Sequence, residues 1–114
     1  MKELEDMIGE EVNGVCFVMD YVEFHFNGPI LRALSTTTLS GPTGSWSFPG
    51  PGSRDALCST IGSVVTDVEI VDGVEIRLVL DNSEALTVDL RESARSSPEA
   101  AHFVPGTNQP IRVW

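Results

Sequence analysis

The sequence predicts an α+β fold that is mostly β: a helix followed by a three-stranded antiparallel meander, occurring twice. The two copies are expected to form a six-stranded barrel or sandwich with short helices. Three observations carry that expectation. Residues 61–90 read as three runs of alternating apolar and polar side chains, broken at Asp72-Gly73 and at Asp81-Asn82-Ser83, the period-two pattern with turn residues that marks a meander. Residues 4–35 can be laid over 54–91: Leu4, Ile8 and Gly9 match Leu57, Ile61 and Gly62, and Val12 and Val15 match Val65 and Val68. Asp20-Tyr21-Val22-Glu23-Phe24 is laid over Asp72-Gly73-Val74-Glu75-Ile76, and Leu31-Arg32-Ala33 over Leu86-Thr87-Val88. Neither meander can bury an apolar face alone, so the two share one interior.

The elements follow in order. Residues 4–9 read as a helical turn, with Glu3, Glu5 and Asp6 near its positive end and Gly9 at its stop. A first strand is expected over 12–19, a reversal at Asp20-Tyr21, a second strand over 22–26, and a hairpin at Asn27-Gly28 before a strand over 30–35. Residues 36–53 carry no charge and are rich in Gly and Pro, which predicts a long connection between the repeats. Ser53 is placed as the cap of a second helix, with Leu57 and Ile61 on its buried side. The second meander follows. Residues 92–114 are read as a C-terminal helix starting at Ser97-Pro98-Glu99 and an extended piece at 111–114. Residues 1–114 thus make one domain. The expected interior is Val15, Phe17, Phe24, Phe26, Val68, Ile70, Ile76, Leu78, Leu86, Val88 and Leu90, with Glu23, His25, Asp67, Glu69, Glu75, Arg77, Thr87 and Asp89 facing water.

Composition limits the chemistry. Seventeen acidic against seven basic residues give a formal charge of −10. Phosphate-gripping proteins need the opposite sign, so neither nucleic acid nor an anionic membrane is an expected partner. Cys16 and Cys58 lie far apart and are read as small buried or half-buried hydrophobes in a reducing compartment, and no apolar run is long enough to span a membrane. A cytoplasmic protein is expected. His25 and His102 form no metal motif, residues 41–52 lack the Gly-Lys-Ser/Thr ending of a phosphate loop, and no Gly-x-Ser-x-Gly elbow occurs. No metal, cofactor or catalytic residue is therefore assigned, and an enzyme is the less favoured reading. The one constellation singled out for ligand binding joins Trp46, Arg54, Asp55, Arg95, Glu99 and His102, in which the two guanidinium groups could receive an anion or a carboxylate. The competing reading pairs them with Asp55 and Glu99 as staples for the long segments.

The stretches WSFPGPGSRDALC and SPEAAHF resemble small single-domain bacterial proteins of unknown function. Some of these lie near secreted-toxin genes, so the resemblance implies an immunity-like binding role and no catalytic residue. The function expected is a non-catalytic interaction domain for another protein, basic in surface charge. The alternative is a small-molecule or anion-binding domain, or a small enzyme, with its site under residues 36–53. Open strand edges also lead us to expect a homodimer.

Overall fold

The computed structural model describes residues 3–95 and 97–114. A 3-10 turn at Leu4–Met7 buries Leu4 and Met7, and Glu3 and Asp6 cap it reciprocally, satisfying amides that a helix start leaves open. The first meander is β1 (Gly14–Val18), β2 (Tyr21–His25) and β3 (Ile30–Ala33). A hairpin follows, β4 (Thr37–Gly41) and β5 (Gly44–Phe48), and then the helix α1 (Ser53–Cys58). The second meander is β6 (Val65–Val71), β7 (Glu75–Leu80) and β8 (Ala85–Asp89). After a 3-10 turn at Glu92–Ala94 the chain ends in a second hairpin, β9 (Ala101–Val104) and β10 (Arg112–Val113).

Each hairpin leaves the meander that precedes it and joins the other one. The strands form two five-stranded sheets, ordered β1-β2-β3-β9-β10 and β5-β4-β8-β7-β6, and every neighbouring pair is antiparallel. The sheets do not close into a barrel. Their inner faces share one apolar core that includes Phe24, Phe26, Leu31, Leu39, Phe48, Leu78, Leu86 and Phe103.

The two halves are related by mirrored hydrogen bonds where β1 and β6 begin. Gly9 N–H donates to Val65 O and Gly62 N–H to Val12 O, at 2.7 and 2.8 Å; Val12 N–H donates to Ser63 O and Val65 N–H to Glu10 O, both at 2.9 Å. Gly9 and Gly62 have φ of 90° and 94°, a conformation that suits a residue without Cβ. Farther along, Val15 faces Phe24 as Val68 faces Leu78, and Phe17 faces Val22 as Ile70 faces Ile76.

Several expectations need correction. Among the described residues, six strands become ten. Residues 36–53 are not a loop: Thr37 and Leu39 point inward opposite Phe48 and Trp46, and a period of two survives because the intervening residues are small and polar. The helix expected from Ser97 is absent. Ala101 and Phe103 are buried and pair with Ala33 and Leu31, so tertiary pairing outweighs a local capping signal. The second strands were aligned two residues out. Val22 corresponds to Ile76 and Phe24 to Leu78 because β6 and β7 are joined by three residues (Asp72, Gly73, Val74) and β1 and β2 by two (Met19, Asp20). Asp20 and Asp72 do occupy corresponding turns. Gly52, not Ser53, is the cap of α1, and Ser53 Oγ donates back to Gly50 O at 2.6 Å. Ile61 is 48% exposed, and Val15, Phe17, Val68 and Ile70 are only partly buried. Cys16 and Cys58 are free and exposed, because each falls on the outer side of its short element.

Helical segments occupy the gaps between sheet edges. α1 lies against β1 and β5, and the 3-10 turn at Leu4–Met7 lies against β6. The Arg54 guanidinium spans the first seam, 5.9 Å from the Phe17 ring of β1 and 5.1 Å from the Phe48 ring of β5. The second seam is spanned by Arg112 of β10, which reaches Glu5 at 3.2 Å and Glu3 at 3.5 Å and lies 4.5 Å from the Trp114 ring.

Candidate functional site

The six residues singled out from the sequence do not form one site: Trp46 and Asp55 line one groove, Glu99 and His102 meet on the outer face of the first sheet, and Arg54 and Arg95 are engaged elsewhere. Arg54 is committed to the Phe17 and Phe48 rings. Arg95 Nη1 donates to Pro98 O at 2.7 Å, and its Nη2 lies 3.7 Å from Glu92, so it fixes the segment leading into β9. Its side chain borders a small recess with Phe48, Pro49 and Asp20.

Glu99 and His102 belong to a polar row across the outer face of the first sheet, which includes three residues outside the predicted set, Glu23, His25 and Arg32. The register sets Glu23 opposite Arg32 and Arg32 opposite His102, so side chains of matching length meet across strands. Arg32 Nε donates to Glu23 Oε2 at 2.7 Å, and His25 Nε2 lies 3.2 Å from Glu23 Oε1. Arg32 Nη1 is 3.0 Å from His102 Nδ1, and His102 Nε2 is 2.9 Å from Glu99 Oε1. A guanidinium only donates, so His102 Nδ1 accepts and its Nε2–H donates to Glu99. Burial alone would raise the Glu23 carboxyl; the hydrogen bonds and charges of Arg32 and His25 outweigh that and hold it below the ordinary carboxylate value. The row runs unbroken from His25 to Glu99, with both ring nitrogens of His102 engaged. Alternation in β2 marks Glu23 and His25 as outward, and the two-residue turn at Asn27-Gly28 sets Arg32 opposite Glu23; what no local signal shows is that His102 stands beside Arg32.

Trp46 and Asp55 line one groove with Leu39, Thr43, Gly52, Ala56, Ser59 and Glu84, a cavity of about 350 Å³. It lies where β4, β5, α1 and the turn before β8 converge. Three glycines shape it. A methyl group on Gly44 would stand 3.2 Å from Trp46 Cη2, one on Gly52 3.3 Å from Trp46 Cδ1, and one on Gly41 2.9 Å from Glu84 Cγ. Glu84 is steadied by Asn82, whose Nδ2 donates to its Oε1 at 2.7 Å and whose Oδ1 accepts its backbone N–H at 3.1 Å. No basic side chain lines this groove. Glu84 was not singled out from the sequence; it comes near Trp46 only because β8 pairs with β4.

A second groove of about 360 Å³ lies on the outer face of the second sheet, lined by Thr36, Thr38, Val74, Glu75, Thr87, Asp89 and Arg91. Arg91 grips Asp89 through Nε and Nη2 at 2.9 and 2.5 Å, and this pairing lowers the Asp89 carboxyl below its usual value against the opposing effect of burial. Among the described residues, no cluster of three or more His, Cys, Asp or Glu is arranged to hold a metal ion, and no helix is long and apolar enough to cross a membrane.

No protein family, curated protein or solved structure matches this chain.

Proposed function

We propose that this protein is a non-catalytic interaction domain that binds the basic surface of another protein. The supporting observation is how its charges are spent. Arg32, Arg77, Arg91, Arg95 and Arg112 each have a carboxylate of the same chain within 4.0 Å, and Arg54 lies over two rings. Among the described residues, Asp20, Asp55, Asp67 and Asp72 have no basic partner, and they share the surface of a chain of formal charge −10. The tip of the β6–β7 ribbon combines such an acid with apolar side chains: Val71 and Val74 are 49% and 44% exposed beside Asp72, with Asp67 farther back along β6. An apolar centre with a charged rim is the usual anatomy of a binding patch.

The resemblance to small bacterial proteins near toxin genes makes a basic toxin the first partner class to test. Exposed free thiols suit a reducing compartment, and we assign the domain to the cytoplasm. The corresponding turns and mirrored bonds further support a duplicated helix-and-meander unit, with the sheets stacked as an open sandwich. The homodimer expectation rested on open edges; α1 beside β1 and β5 covers part of them. The small-molecule alternative loses its anion-binding form, since Arg54 and Arg95 are both engaged away from the Trp46 groove.

A photo-crosslinking residue at Val74, compared in the native cell with one at exposed Thr107, tests the reading. We expect adducts at position 74 that fade as salt is raised and disappear in Asp67→Lys/Asp72→Lys. Equal adducts at both positions, or none at position 74 in low salt, overturn it.

A further inference from the structure

We propose that the Trp46 groove is a site for an organic monocation, an alkylammonium or guanidinium head. This deepens the basic-partner reading, and rests on it only for the source of the cation. The groove offers an indole and two carboxylates, Asp55 and Glu84, with no basic side chain among them. The Asp55 carboxylate has no hydrogen bond or ion pair among the described residues, and one Glu84 oxygen is engaged by Asn82, which leaves acceptors on both walls. A cation over an indole gains from the ring's negative face, and flanking carboxylates add to that attraction.

Gly44 and Gly52 let the backbone lie against the indole, and Gly41 does the same for Glu84, since an added Cβ would lie 3.2, 3.3 and 2.9 Å from these side chains; both groups are thereby seated at the groove. The second seam also holds the same chemistry already filled: the Arg112 guanidinium lies 4.5 Å from the Trp114 ring and within 3.5 Å of Glu3 and Glu5 oxygens. Trp46 and Arg112 occupy corresponding positions, opposite Leu39 and Phe103. An indole and two carboxylates of this chain thus already hold a guanidinium in the second seam, and the Trp46 groove presents the same three groups with no basic side chain among them.

The test is fluorescence titration of Trp46 in a Trp114→Phe background, with the Trp46 indole N–H resonance as a second reading. The probes are n-butylammonium, agmatine, uncharged n-butanol and a blocked Gly-Lys-Gly peptide. We expect saturable changes with the cations, with dissociation constants of about 1–10 mM, and none with butanol. Asp55→Asn/Glu84→Gln should weaken binding at least about tenfold, while Asp67→Asn/Asp72→Asn leaves it unchanged. Peptide binding tighter than butylammonium assigns the cation to a protein side chain; the reverse assigns it to a free amine. No saturable change, or equal loss in both double variants, overturns the site. Because the probes are small and the readout is local, failure at Val74 with a positive titration removes the partner and keeps the groove, and the converse removes only the groove.

Discussion

The two seams solve one problem with different chemistry. Each must cover the gap between the edge strands of two sheets, and each uses a short helical segment and an arginine. In the first seam Arg54 sits on Phe17 and Phe48, whose rings are themselves 5.3 Å apart; in the second Arg112 bridges Glu3, Glu5 and Trp114. The first is therefore an aromatic closure indifferent to ions, the second an ionic one that salt screens. The difference teaches that the folding pattern demands a bridging group across each seam but prescribes neither its place in the chain nor its chemistry. It also leaves the side with Trp46 open to a visitor.

The largest way to break this comparison is truncation of the ring beneath each arginine. Phe48 is 2% exposed, so Phe48→Ala should cost about 3–5 kcal/mol, read as a fall in the denaturant midpoint. Half-buried Trp114 at the corresponding edge should cost less on the same change, about 1–2 kcal/mol. Equal losses would show that the seams are equally packed.

Next in size is the carboxylate at the centre of the polar row. The folded-state pKa of Glu23 lies below the ordinary glutamate value of 4.5, so it adds stability above that pH and the gain is lost as pH falls through the folded value. Glu23→Gln should cost about 1–2 kcal/mol near neutral pH, and the gap from the parent should narrow steadily below about pH 4.5. A gap that stays constant into acid would remove Glu23 from the acid response. Asp89 is lowered for a similar reason, but its partner Arg91 is 64% exposed, so Asp89→Asn should shift the acid limb less.

The smallest effects separate the two arginines. Arg112→Gln and Arg54→Gln should each cost about 0.5–1 kcal/mol. Raising salt should erase the difference from the parent for Arg112 and leave it for Arg54. The reverse pattern would exchange the roles given to the seams.

How much of this was legible depends on the range of the signal. The hairpin at Asn27-Gly28 could be read because both residues need positive φ, and they have it, at 57° and 124°. The two meanders and the correspondence of Leu31 with Leu86 were legible from alternation. The β4–β5 hairpin was not, because Thr38, Ser40, Ser45 and Ser47 are too small and neutral to contrast with Leu39 and Trp46. Ala101-His102-Phe103-Val104 carried an alternation overshadowed by the helix-starting Ser97-Pro98-Glu99. Of the predicted site, Trp46 and Asp55 do meet, since α1 follows β5 closely. Glu84 and the contact of Arg32 with His102 could not be assigned, because which strands pair across the two halves is decided by the shared core and leaves no mark on any local run.

That exchange of hairpins has a consequence for how the chain holds together. Strands β4 and β5 are spelled in the first half and completed by β8; β9 and β10 are spelled in the second and completed by β3. Neither half owns a finished sheet, so a cut between them would yield two fragments each missing its outer strands, stable only as a complementing pair. The molecule is, in effect, a pair of interlocked partners held by a single tether, and loosening either one surrenders both.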